Sequence, residues 1–159
     1  MRKHWKIWKP ALSEEEYTPI IKILEPYRLS FLGYGGTCLS FVDDKLLVYK
    51  ICLKEDNEIL QSAHSFLGHC QKLREIGIPI LPPIEILFDN DLFLVYTQEF
   101  CNPLPYVNAK IVSETLTILK SMLLGRYKLT DIYYRNLGIW KNQVLVYDYH
   151  DYKEFTRTD

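Results

Sequence analysis

Apolar and polar positions fall into short alternating runs along the first half of the chain, and the spacing lengthens in two later stretches. "RLSFLGY", "TCLSFV" and "KLLVYKICL" are β-rich runs separated by Gly35-Gly36 and by Asp43-Asp44-Lys45. Runs of this kind with turn residues between them predict a three-stranded antiparallel meander. Ahead of them, residues 13–25, "SEEEYTPIIKILE", open with a serine and three acids. That is helix-start chemistry, and Pro19 keeps the predicted helix short. In residues 56–76, Ile59, Leu60, Ala63, Phe66, Leu67, Cys70 and Leu73 recur at spacings of three and four and form one apolar stripe. A helix is predicted there, capped by Asp56 and closed by Gly77. "IPILPPIEILF", the turn "DND" and "LFLVYTQEF" predict two further strands. Residues 108–124 predict a second helix, with Ile111, Val112, Leu116, Leu119, Met122 and Leu123 on one face and Asn108 and Gly125 at its ends. A loop and two small strands, "LGIW" and "QVLVYD", follow.

Composition adds exclusions. The chain has 159 residues, one domain's worth and enough for a hydrophobic core. Net charge is −1, so no global basic surface points to nucleic acid. No apolar run approaches the roughly 18 to 20 residues of a membrane span. The start, "MRKHWKIWKP", lacks the apolar core of a secretory signal. Its Arg2, Lys3, Lys6 and Lys9 suit an acidic partner or membrane surface, whereas Trp5 and Trp8 are expected to pack on the domain. Cys38, Cys52, Cys70 and Cys101 are far apart and form no CxxC pair, which argues against zinc and for reduced cytosolic thiols. His64 and His69 sit five apart on the first long helix, a poor metal spacing, and are expected to be solvated. The alternation of Tyr147, Tyr149 and Tyr152 is expected to reflect packing.

Four places carry candidate chemistry. "GYGGT", Gly33 to Thr37, is either a glycine hairpin turn or a loop in which Gly33, Gly35 and Gly36 let backbone N–H groups approach phosphates. Lys50, in "VYKI", is either an edge-strand lysine facing water or a half-buried cation that needs an anionic partner. Glu58, on the flank of the first long helix, either meets that lysine or complements the helix dipole. Finally, Asp131 and Asn136 stand in a D-x4-N spacing, and Asp148 follows across an apolar hairpin. All three side chains are oxygen ligands suited to a hard cation.

The order of elements and these four motifs together resemble the protein kinase-like fold. G-x-G-x-x-G is matched at Gly33 and Gly35, with Cys38 at the third glycine position; V-A-I-K is matched at Lys50. H-R-D-L-x-x-x-N is matched at Asp131 and Asn136, and D-F-G at Asp148, within Asp-Tyr-His. The resemblance covers roughly residues 28–150 and implies an α+β, bilobal fold. Its N-lobe would be a five-stranded antiparallel sheet plus one helix, and its C-lobe would be helical and strongly truncated. A single kinase-like domain would then fill 1–159, with the N-terminal extension and N-lobe in 1–100 and the hinge and minimal C-lobe in 101–159. The resemblance is to small viral or bacterial-effector kinases and, through "LREIGIPILPP", to lipopolysaccharide and aminoglycoside kinases.

It implies ATP- and Mg²⁺-dependent phosphoryl transfer, expected on protein Ser/Thr hydroxyls in the cytoplasm, a host's cytoplasm if the source is a virus or a pathogen. Lys50 would pair the ATP phosphates and Glu58. Asp131 would accept the proton of the attacking hydroxyl, and Asn136 and Asp148 would hold Mg²⁺. Gln98 would gate the adenine pocket, and the backbone of Glu99 to Cys101 would bond adenine. Departures are equally specific. Leu129 and Thr130 replace His and Arg, Tyr133 stands where Ser/Thr kinases carry a lysine, and the sequence runs only eleven residues past Asp148. A catalytically silent mimic that binds a partner kinase or its substrate is the alternative expectation. A protein partner or a homodimer is expected in either case.

Overall fold

A computed structural model of the chain describes residues 1–55, 60–75, 82–103, 114, 117, 127–129, 137–146 and 152–154. They belong to two compact units, one of Met1–Phe66 with Pro83–Phe100, the other of Leu67–Pro82 with Cys101–Asp159.

The first unit is built on a five-stranded antiparallel sheet. Its strands are β1 (Ser30–Tyr34), β2 (Cys38–Val42), β3 (Leu47–Leu53), β4 (Ile84–Asp89) and β5 (Phe93–Glu99). Their spatial order is β1-β2-β3-β5-β4, so β5 inserts beside β3 and leaves β4 at the edge. Burial explains the order. The near-continuous apolar run Phe93–Gln98 is covered on both faces, as a central strand requires, while β4 is only half-buried.

Side-chain alternation splits the sheet into two faces. Leu39, Phe41, Tyr49, Ile51, Leu53, Phe93 and Val95 form one core with Trp5, Trp8, Tyr17, Ile20 and Leu24. Those last five come from helices α1 (Arg2–Trp8) and α2 (Glu14–Leu24). A seven-residue helix is unstable by itself in water, so α1 exists through its tertiary contacts. Trp5 is fully buried, stacked on Tyr17 at 5.3 Å and edge-on to Phe93 at 5.5 Å. The tryptophans therefore pack on the domain, as expected. Helix α2 begins with a reciprocal capping box between Ser13 and Glu16, and Pro19 sits inside it.

The β2–β3 turn is organised by Asp43, whose Oδ1 accepts from the amides of Lys45 (3.0 Å) and Leu47 (2.8 Å). Its Oδ2 accepts from the Tyr49 hydroxyl at 3.2 Å. Burial, then the Asp43 charge and hydrogen bond, hold the Tyr49 phenol well above the ordinary tyrosine range. Leu46 closes the turn at φ 62° and accepts the Phe100 amide at 3.0 Å.

Helix α3 spans Ala63–Glu75. It does not start at the expected Asp56, which lies with 57–59 outside the described residues, as does Gly77. Ser62 caps it instead: its hydroxyl accepts the Ser65 amide at 3.0 Å, and Asp89 Oδ2 accepts the Ala63 amide at 2.9 Å. The expected stripe is also narrower, since Phe66 and Cys70 are buried but Leu67 is exposed. His64 is exposed and His69 half-buried. The expected helix over 108–124 lies outside the described residues apart from Glu114 and Thr117, both helical.

One expectation is overturned. Cys38 and Cys52 are not reduced thiols but a disulfide, joining directly opposed positions of β2 and β3. Their Cα atoms are 4.2 Å apart, as at a non-hydrogen-bonded pair of an antiparallel ladder. The next pair fits, because the Leu53 amide donates to the Thr37 carbonyl at 2.9 Å. Cys70 and Cys101 are buried thiols.

In the second unit, β8 (Leu137–Trp140) and β9 (Gln143–Val146) form a hairpin that β6 (Asn102–Pro103) extends. Lys141 (φ 47°) and Asn142 (φ 65°) turn it, the paired left-handed residues of a tight two-residue loop. Strand β7 (Tyr127–Leu129) pairs with β10 (Tyr152–Glu154).

Candidate functional site

The first unit gathers the glycine turn and Lys50 on one sheet. Gly33 and Tyr34 end β1, opposite Ser40 and Leu39, and a bulge at Leu32 precedes them. The turn closes where the Gly35 amide donates to the Cys38 carbonyl at 2.9 Å. From the other side, the Trp8 indole N–H donates to the Gly35 carbonyl at 2.9 Å. Gly33, Gly35 and Gly36 all avoid the left-handed region, and a Cβ added at any of them would meet nothing within 4 Å. Neither backbone conformation nor packing therefore demands glycine here. What the three glycines leave is open space beside exposed backbone, the property a phosphate-approaching loop uses.

Lys50 sits in the middle of β3, opposite Ser40 on β2 and Tyr96 on β5. It is 4% exposed, which excludes the edge-strand lysine facing water. Along this face the opposed pairs run Val42–Val48, Ser40–Lys50, Cys38–Cys52, so the lysine lies between an apolar pair and the disulfide. A cation taken this far from water is sustained only where anionic or polar groups meet it. Tyr96 and Gln98 share the face, and Phe66 packs its ring on Tyr96 at 4.8 Å. Gln98 is buried, Glu99 is exposed at the end of β5, and Cys101 is buried. The boundary between the two units falls between Phe100 and Cys101.

A second lysine, Lys54, escaped sequence reading. Only 5% exposed, it pairs with Asp89 at 2.5 Å. Burial alone would raise the Asp89 pKa, but the Ala63 amide and the Lys54 ammonium outweigh it and hold the carboxyl below its ordinary value. The pair ties the end of β3 to the end of β4 and to the first turn of α3. Trp8 at the glycine turn and the Cys38–Cys52 bond were also missed. A signal for the bond exists: the two cysteines lie seven residues on either side of Lys45, the last residue of the predicted turn.

Glu58, Asp131, Asn136 and Asp148 lie outside the described residues. The strands that flank the last three are described. The expected hairpin between Asn136 and Asp148 is β8–β9, with Leu137 opposite Val146. Leu129, ahead of Asp131, is opposite Tyr152. The segments 130–136 and 147–151 thus leave from, and arrive at, the same two strand pairings. Among the described residues, no three or more His, Cys, Asp or Glu side chains cluster as a metal site would need.

No protein-family model and no curated protein sequence matches the chain. A solved structure does: the ternary complex of APH(2″)-IIa with streptomycin and ATP. The match covers 91% of this chain and 74% of that one, with a TM-score of 0.52 at 11% identity. At that identity the likeness is one of fold alone: the chain is a mixed α+β protein built on a five-stranded antiparallel sheet, and its fold is similar to that of this kinase structure. Among the described residues, no helix is long and apolar enough to cross a membrane.

Proposed function

We propose that this chain is an ATP-dependent phosphotransferase. The observation that carries the reading is Lys50, buried at the centre of the sheet, with an open glycine turn at the end of the neighbouring hairpin. These residues fit a polyphosphate: a desolvated ammonium attracts phosphate oxygens more strongly than one in water, and turn amides free of Cβ cover can donate to them. ATP would supply the phosphoryl group and Mg²⁺ the charge neutralisation. Asn136 and Asp148 are the residues whose chemistry suits that metal. Asp131 takes the proton of the attacking hydroxyl, and the Glu99 to Cys101 backbone takes adenine. The bound streptomycin of the similar structure supports a small-molecule acceptor beside a protein Ser/Thr hydroxyl.

Leu129 and Thr130, standing where the family carries His and Arg, favour a second reading, a nucleotide-binding mimic that docks on a partner without transferring phosphate. Calorimetric titration with ATP and Mg²⁺ tests the nucleotide site, and labelled ATP in a cell lysate tests transfer. Binding that is lost in Lys50→Ala supports the site, and equal affinity in wild type and variant removes Lys50 from it. Binding without transfer to any lysate component favours the mimic.

A further inference from the structure

We infer that the Cys38–Cys52 disulfide is a redox latch on the glycine turn, opened by a dithiol reductant. Its bearing on ATP rests on the nucleotide reading above; its bearing on the turn does not. Cys38 is the first residue of β2, immediately after Thr37, and Cys52 lies two residues beyond Lys50 on the same strand. The opposed pairs Ser40–Lys50 and Cys38–Cys52 are adjacent on one face of the sheet. At the usual rise per strand residue they are about 6.7 Å apart. The bond therefore fixes the root of the glycine turn covalently to the strand that carries the buried cation. Beyond it the turn is held by two backbone bonds, Gly35 to Cys38 and Leu53 to Thr37, and by the Trp8–Gly35 bond. Gly35 and Gly36 are exposed and Gly33 is half-buried, with open space beside all three, so the order of the turn depends on its root.

The chemistry balances as thiol–disulfide exchange. A thiolate of the reductant attacks the sulfur of Cys38, the residue that is 6% exposed against 0% for Cys52. The S–S bond breaks, and Cys52 leaves as a thiolate and takes a proton. The second thiol of the reductant then displaces Cys38, which leaves and is protonated likewise. The reductant ends as a disulfide, having given two electrons and two protons to the chain. Cys70 and Cys101 are buried thiols already and need no such step.

The test compares protein purified without reductant and the same protein after dithiothreitol, by mass mapping, amide hydrogen exchange and ATP titration. The bond should be found between Cys38 and Cys52 in the first sample. Reduction should speed exchange of amides 33–37 at least about threefold while the α2 amides stay unchanged, a local opening and not a global one. ATP affinity should fall in parallel. A Cys38→Ser/Cys52→Ser variant should behave as the reduced protein and ignore dithiothreitol; if it does not fold, reduced wild type alkylated at both positions takes its place. Equal exchange at 33–37 in both redox states, or free thiols at Cys38 and Cys52 after aerobic purification, overturns the latch. A redox-dependent turn in a protein that binds no ATP in either state keeps the latch and removes the nucleotide reading.

Discussion

The indole N–H of Trp8 donates to the carbonyl of Gly35, joining the first helix to the glycine turn across 27 residues of sequence. The donor is buried and the acceptor is exposed. Trp8→Phe removes the donor and leaves most of the ring volume. Water can solvate the released carbonyl, so the cost should stay near that of one hydrogen bond and a small packing loss, about 1–2 kcal/mol. Chemical denaturation measures that cost. Amide exchange should quicken at 33–37 more than in β3. An equal increase along β3 would show that Trp8 supports the sheet as a whole and not the turn.

The Lys54–Asp89 pair makes a pH prediction. Asp89 is held below its ordinary pKa in the folded state. Its contribution is therefore complete above the unfolded value of about 3.9 and is lost as pH falls below that, through the lower folded value. Asp89→Asn keeps an oxygen for the Ala63 amide but leaves Lys54 buried without its counter-charge. Breaking a buried pair costs about 3–5 kcal/mol, and since the Asp89 side chain is 30% exposed, about 2–3 kcal/mol is expected at neutral pH. The wild-type stability curve should fall below pH 4 more steeply than the variant's. Parallel curves in urea titrations from pH 2 to 7 would remove Asp89 from acid sensitivity.

Leu46 holds φ 62° and is 61% exposed. A bulky residue in the left-handed region carries about 1–2 kcal/mol of local strain, and asparagine tolerates the region far better. The hydrogen bond from Phe100 uses the Leu46 backbone carbonyl and survives any side chain. Leu46→Asn should therefore raise stability by about 0.5–1 kcal/mol. Destabilisation in a melting experiment would mean that the leucine side chain packs on something that outweighs its strain.

Local chemistry was legible wherever neighbours in sequence decide it. Gly35-Gly36 and Asp43 to Lys45 marked both turns of the meander, and Ser13 with Glu16 marked the start of α2. Long-range partners decided the rest. The start of α3 is set by Asp89, 26 residues on from Ala63, so the apolar stripe that continues upstream of Ser62 was misleading. Helix α1 needs Tyr17 and Phe93 to bury Trp5, which no twelve-residue window contains. The position of β5 beside β3 was implicit in the apolar run Phe93–Gln98, yet two strands joined by a hairpin can dock either way round. At the site, Lys50 declared itself by its type in an apolar strand, whereas the disulfide depended on register, readable only after the turn had been centred on Lys45.

The roles assigned to Asp131 and Asp148 separate an enzyme from a mimic. On the proposed reading Asp148→Asn would remove a charged metal ligand and should weaken binding of Mg²⁺ and ATP together. Asp131→Asn should leave ATP affinity nearly intact, since on the proposed reading that carboxylate would serve the hydroxyl nucleophile and not the nucleotide. Turnover should fall by about 10²- to 10⁴-fold, the usual contribution of a general base. Both variants must first match wild type in melting temperature, because segments 130–136 and 147–151 connect the same pair of strand pairings. Transfer of labelled phosphate, measured beside ATP affinity, then gives a split in each variant: affinity lost in Asp148→Asn, rate lost in Asp131→Asn. A wild-type protein that binds ATP and transfers nothing, with biological effect unchanged in Asp131→Asn, would reject the enzyme and leave a nucleotide-binding mimic, because a docking surface has no use for a base at Asp131.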